Sequence, residues 1–151
     1  EAFDADPRAV EAARENARRN KCSRVSFAVG DALGWRPATD AFRVVTANVY
    51  AEILCAAAPM IARAVAPGGC LLLSGILRGL ESGTVDTFTA RGFDTENFSY
   101  RGKWVTIQLR RRCRGFAVPR RDQRSARFSL RIARSAPCNS GNSSRMASAD
   151  E

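Results

Sequence analysis

Along residues 1–109 the apolar positions switch between strand and helix spacing, and beyond Leu109 neither period continues. Ala2-Phe3-Asp4 reads as a buried strand ending in a carboxylate. Asp6 is a good N-cap, and Pro7 suits a first helical position. Val10, Ala13 and Ala17 then recur at helical spacing, with Glu11–Arg14, Glu15–Arg18 and Glu15–Arg19 able to pair on the wet face. This predicts a helix over 7–19, stopped by Asn20 in left-handed conformation.

Val25-Ser26-Phe27-Ala28-Val29 alternates as a strand and ends at Gly30-Asp31. Residues 33–40 form a loop, and the Val-rich run 42–47 predicts a third strand, central in its sheet, leading into Asn48-Val49-Tyr50. A broad apolar stripe predicts a helix over 51–66, which Pro59 should kink or divide in two. Pro67-Gly68-Gly69 reads as a sharp turn before a strand over 70–74, whose unbroken apolar run suits cover on both faces. A helix over 81–91 turns Val85 and Phe88 inward and takes Gly92 as its C-cap. Strands over 95–100 and 103–109 flank a hairpin turn at Arg101-Gly102.

Parallel strands joined by helices and closed by an antiparallel hairpin make an α/β sandwich with a mostly parallel sheet. Such a sheet begins with a strand and a glycine-rich turn, which would precede Glu1. We therefore expect residues 1–109 to be an α/β domain truncated at its amino terminus. Residues 110–151 form an Arg-rich tail, expected to be mostly disordered, with 128–132 as a weak local element.

The net charge of +9 suggests a nucleic-acid binder until it is located. Eleven arginines against three acids place nearly all of it after residue 109. The chain has no His, which excludes a His-dependent triad and His metal ligands. Its five cysteines are odd in number and widely spaced, with no Cys-x-x-Cys pair. That argues against a disulfide framework or a zinc site and suits a reducing cytoplasm. No apolar run is long enough for a membrane span.

Candidate chemistry lies where strands end. In open α/β sheets, ligands sit at the carboxyl ends of strands, where an acid accepts both hydroxyls of a ribose. Asp4 is placed for that role; the plainer reading is a strand-end acid or a second helix cap. Asp31 can accept from an adenine amine, or simply form a Gly-Asp turn. The amide oxygen of Asn48 can hold an amine so that its lone pair faces an electrophile, which is catalysis by positioning. Otherwise Asn48 is a turn residue. Tyr50 either covers the acceptor or packs as an ordinary aromatic. Ser74-Gly75 can line the acceptor side, while Trp35 and Trp104 read as packing residues.

The run Asp4-Ala5-Asp6-Pro7-x-Ala9-Val10-x-x-Ala13-x-x-Asn16-Ala17-x-x-Asn20 resembles the second-strand region of class I S-adenosylmethionine-dependent methyltransferases. Val44-Val45-Thr46-Ala47-Asn48-Val49-Tyr50-Ala51, Ala58-Pro59, Ala66-Pro67-Gly68-Gly69 and Leu73-Ser74-Gly75-Ile76-Leu77 resemble the PrmA-type ribosomal-protein methyltransferases, which act on the stalk-base protein of the large subunit. The resemblance implies a Rossmann-like three-layer sandwich with S-adenosylmethionine as cofactor and a protein, ribosomal in that family, as substrate. It makes residues 1–109 a truncated catalytic domain, with impaired cofactor binding because the family's glycine-rich loop would precede Glu1. It places Asp4 at the cofactor ribose and Asp31 near the adenine. Asn48 would sit at the methyl-transfer centre, where it serves both cofactor binding and catalysis, with Tyr50 beside it. The family commonly has Asn-Ile-Leu-Ala where this chain has Asn48-Val49-Tyr50-Ala51, which drifts toward the Asn-x-x-Tyr pattern of other amino-methyltransferases.

Two other classes compete. A nucleotide-dependent oxidoreductase shares the strand-end acid but ends in a parallel strand. A non-enzymatic RNA-binding protein would act through residues 110–134, since arginine runs bind phosphate. The plainer reading of that tail is an unselected solvated extension.

Overall fold

The structure is a computed structural model and describes residues 1–113. The order is β1 (Ala2–Asp4), α1 (Pro7–Arg19), β2 (Phe27–Val29), β3 (Phe42–Asn48), α2 (Ala51–Ala64), β4 (Val65–Leu77), α3 (Glu81–Thr89), β5 (Phe93–Arg101) and β6 (Trp104–Arg111). The expected tail element at 128–132 lies outside the described residues.

Helix α1 begins as its sequence requires. Asp6 is extended, and its side chain accepts from the Arg8 amide at 2.8 Å. Asn20 is not the left-handed residue, since its φ is −89°. The turn falls one position later, at Lys21 with φ 56°, because the Asn20 side-chain amide instead donates back to the Asn16 carbonyl.

The strands make an α/β arrangement in two hydrogen-bonded pieces. β1 and β2 pair in parallel, while the other four follow the order β3-β4-β6-β5. β3 is parallel to β4, and β6 runs antiparallel to both β4 and β5. β3 was expected to be central but is an outer strand of its sheet, and Val44 is 59% exposed. Among the described residues, β1 has no hydrogen-bonded partner on the side away from β2, and β3 none on the side away from β4. Trp35 spans the two pieces, with its ring 5.3 Å from Phe3 of β1 and 6.3 Å from Phe42 of β3.

Two expected breaks are absorbed. Helix α2 runs through Pro59, with Leu54, Ala58 and Ile61 buried on either side of it. β4 starts at Val65 rather than 70, and Pro67-Gly68-Gly69 lies inside it as an irregularity between the Phe42–Val65 and Val44–Cys70 pairs. Gly68, at φ 73°, lets the chain bulge and resume its ladder. The hairpin turn is Gly102-Lys103, one residue later than expected, with Gly102 at φ 58°.

The core lies between α2, α3 and one face of the four-stranded sheet. Leu54, Leu71, Leu73, Ile76, Phe88, Phe93, Val105, Ile107 and Leu109 are sealed from solvent. Phe88 of α3 meets Phe93 of β5 edge-on at 5.9 Å. Each such side chain contributes about 1.5–3 kcal/mol on burial. β6 continues past Leu109, and the arginines that follow are held by acids. Arg110 pairs with Glu96, Arg111 with Asp40 and Arg112 with Asp94, at 2.8, 2.6 and 2.9 Å. Arg110 and Arg111 thus belong to β6, and Arg112 follows it directly, its amide donating to the Gly92 carbonyl.

Candidate functional site

Asp4 closes β1, and Asp31 follows β2 by two residues. The Gly30 amide donates to the Asp4 carbonyl at 2.9 Å, which ties the two strand ends together on one rim. Oδ1 of Asp4 accepts from the Asp6 amide at 2.9 Å, and Oδ1 of Asp31 accepts from the Leu33 amide at 3.0 Å. Each turn thus fixes one carboxylate oxygen. Among the described residues the second oxygen of each is unpartnered, and both side chains are exposed. Two carboxylates held this way can accept from hydroxyls or an amine.

An open cavity of about 350 Å³ lies beside Asp31, lined also by Phe3, Gly30, Gly34 and Trp35. Neither Asp4 nor Asn48 lines it. A larger cavity, about 650 Å³, lies at the other end of the sheet, among Arg63, Arg91 and Arg111. It contains none of the candidate residues. Arg63 lies in the last turn of α2, where a cation complements the helix dipole, and Arg91, two residues past α3, donates to the Thr87 carbonyl.

Asn48 is the last residue of β3 and pairs with Ser74 of β4. Its exposed side chain makes no hydrogen bond among the described residues. Tyr50 sits at the N-cap position of α2 without capping it and is 63% exposed, so it is not a packed aromatic. Thr106 Oγ1 lies 3.4 Å from Ser74 Oγ. The structure therefore brings Asp4 together with Asp31, and Asn48 together with Ser74. These pairs belong to separate hydrogen-bonded sheets.

Sequence reasoning missed the support beneath Asn48. The Val49 backbone packs onto Gly75 so closely that only glycine fits there. It also treated Trp35 as plain packing, whereas Trp35 both lines the cavity and spans the two sheets. Trp104, read as a packing residue, is exposed.

The sequence profile of the ribosomal protein L11 methyltransferase (PrmA) family matches residues 1–112. The chain belongs to that family. A ribosomal protein L11 methyltransferase from Chelativorans sp. (strain BNC1) is 35% identical over 113 residues, covering 73% of this chain and 39% of the relative. One from Xylella fastidiosa is 40% identical over 110 residues, covering 73% of this chain and 35% of the relative. The chain thus spans well under half the length of these L11 methyltransferases. Solved structures agree on the fold. A ribosomal protein L11 methylase from Lactobacillus delbrueckii subsp. bulgaricus superposes with TM-score 0.65 at 21% identity, covering 74% of this chain and 57% of that one. The N-methyltransferase NodS from Bradyrhizobium japonicum, solved with S-adenosyl-L-homocysteine, superposes with TM-score 0.57 at 16% identity, covering 72% and 64%. The fold expected from the resemblance, a Rossmann-like α/β sandwich with an antiparallel carboxy-terminal hairpin, is the one observed.

Proposed function

We propose that this chain supplies part of the catalytic domain of an S-adenosylmethionine-dependent methyltransferase that modifies an amine nitrogen of a protein, a ribosomal protein in particular. The observation that carries the reading is the family match together with polar residues at three strand ends. Asp4 binds the ribose hydroxyls through its free carboxylate oxygen, and Asp31 accepts from the adenine amine. Among the described residues both retain an unpartnered oxygen, which fits such a ligand. Asn48 orients the acceptor amine, and Tyr50 covers it.

Held by Asp4 and Asp31, the cofactor would supply an electrophilic methyl group on a sulfonium, with S-adenosylhomocysteine as the second product. Asn48 would hold the acceptor amine with its lone pair facing that methyl, and the amine proton would pass to water. The protein's own contribution is orientation, which can supply most of the acceleration in a bimolecular transfer.

The oxidoreductase reading needed a parallel last strand, but β6 is antiparallel to both of its neighbours. The RNA-binding reading loses Arg110, Arg111 and Arg112 to ion pairs, and its remaining arginines lie outside the described residues. Among the described residues Cys22, Cys55, Cys70 and Cys113 form no disulfide with one another, which supports a cytoplasmic setting.

Among the described residues one edge of β1 and one edge of β3 are unpaired, which supports a further strand between them. The test is calorimetric titration with S-adenosylhomocysteine, before and after extending the chain at Glu1 with the preceding segment of the Chelativorans relative. Binding is expected to be weak at first, to strengthen on extension and to be lost in Asp4→Asn. An extended chain that still fails to bind, or binding indifferent to Asp4→Asn, would overturn the reading.

A further inference from the structure

At the end of β4 the chain turns beside the β5–β6 hairpin, and the two are tied together. The Arg78 amide donates to the Lys103 carbonyl at 3.0 Å, and Arg78 Nε donates to the Gly102 carbonyl at 2.7 Å. Leu77 pairs across the ladder with Trp104. Leu77 and Trp104 share one face of the sheet at this corner and stay wet, 37% and 39% exposed, whereas Tyr100, the partner of Val105, lies on the opposite face at 49%. Scattered exposed apolar residues are ordinary, whereas adjoining ones at one corner mark an interaction surface.

Cations lie on those rings. The Arg78 guanidinium sits 4.9 Å from the centre of the Tyr100 ring, and the Lys103 ammonium 5.2 Å from that of Trp104. Arg101 joins them, as the ladder partner of Trp104. Among the described residues none of these three cations has a carboxylate partner, whereas Arg110, Arg111 and Arg112 at the far end of the same hairpin are each paired. The corner also lies at the end of β4 that carries Ser74, the partner of Asn48. Three or four strand residues separate them, a span of about 10 Å.

We propose that this corner docks an acidic segment of the protein acceptor. Its carboxylates reach Arg101 and Lys103, and its apolar side chains cover Leu77 and Trp104. The proposal rests on the protein-methylating reading above for the nature of the partner. Carboxylates are favoured over a single-stranded nucleic acid because, of the hairpin's aromatic rings, Trp104 alone lies on this face, whereas single strands stack successive bases on several rings.

The test is fluorescence anisotropy on the full chain. The probes are a labelled lysine peptide flanked by glutamates, the same peptide with glutamines in place of the glutamates, and a labelled oligouridylate. Residues 110–151 carry eleven arginines, so only variants that retain them are compared. The doubly substituted Arg101→Gln, Lys103→Gln protein should bind the acidic peptide about tenfold more weakly. Arg101→Glu with Lys103→Glu should weaken it further. The glutamine peptide should bind poorly to all three. Equal binding of the acidic peptide to parent and double variants would overturn the proposal. So would a loss confined to the oligouridylate, which would mark the corner as a phosphate surface. Absence of S-adenosylhomocysteine binding in the extended chain would instead strike the methyl-transfer reading and leave these peptide results as they are.

Discussion

The carbonyl oxygen of Val49 lies 2.7 Å from where a Cβ on Gly75 would stand, and the Val49 nitrogen 3.1 Å from the same point. Gly75 has φ 82° and sits where the β4–β6 register shifts between Leu73 and Ile76. The turn that carries Asn48 and Tyr50 therefore rests on a glycine that β4 bends to present. Backbone-on-backbone contact of this kind leaves no side chain free to yield.

Gly75→Ala should cost more stability than its backbone angle alone explains. A left-handed alanine costs about 1–2 kcal/mol. Gly79 offers the control, since its φ is 92° and nothing lies within 4 Å of its added Cβ. Gly79→Ala should lose only that strain, and Gly75→Ala about twice as much or more, because Val49 must move. Urea midpoints of the two variants measure the difference; equal losses would show that the close approach does not constrain the turn.

Trp35→Ala should loosen one piece of the fold without melting the other. Its ring spans Phe3 and Phe42, and no ladder hydrogen bonds join β1 to β3. Amide hydrogen exchange should accelerate at Phe27–Val29, while Leu71, Leu73 and Ile107 in the four-stranded sheet keep their protection. Uniform acceleration across both sheets would contradict this.

How far the fold was legible follows from where its signals are local. Asp6-Pro7 and the Val10-Ala13-Ala17 spacing define α1 almost to the residue, because caps and helical periodicity are carried by near neighbours. Pro67-Gly68-Gly69 misled because a turn and a bulge use the same residues; only pairing with β3 and β6 decides between them. The outer position of β3 was illegible for a related reason, since strand order is set by partners and not by the Val44-Val45 pattern. The candidate acids were readable as strand ends. The support given by Gly75 was not, because a close approach between distant backbones leaves no local trace. The arginines after Leu109 looked like tail because their partners Glu96, Asp40 and Asp94 are remote in sequence.

Glu96 should add a pH-dependent increment to stability. Its carboxylate accepts from Arg110 Nε at 2.8 Å and from Gln108 Nε2 at 2.7 Å. The Arg110 hydrogen bond chiefly holds its pKa below the ordinary value, while partial burial opposes the shift. A carboxyl lowered on folding stabilises the native state above its unfolded pKa of about 4.3, and that increment fades as the pH falls through the folded value. Both partners are partly exposed, so Glu96→Gln should cost only about 0.5–1 kcal/mol at neutral pH. The gap should close in acid and shrink in high salt. Denaturation of parent and variant across pH measures it, and a pH-independent gap would mean that packing, not charge, sets the contribution.

Asp4 and Asn48 should divide the labour of binding and transfer in the chain extended upstream of Glu1. Asp4→Asn keeps an oxygen for the Asp6 amide, so the turn into α1 survives. What it removes is the charge offered to the ribose hydroxyls. Charged hydrogen bonds contribute about 1.5–3 kcal/mol, so S-adenosylhomocysteine affinity should fall about ten- to a hundredfold. Asn48→Ala deletes a side chain that makes no hydrogen bond among the described residues, so stability should barely change. Its loss should fall chiefly on kcat, by about a hundredfold, with a smaller effect on affinity, because misorienting the amine penalises the transition state more than the bound cofactor. Calorimetry and single-turnover methyl transfer to a lysine peptide separate the two effects. If Asp4→Asn slowed transfer without weakening binding, or Asn48→Ala weakened binding without slowing transfer, the assigned roles would be reversed.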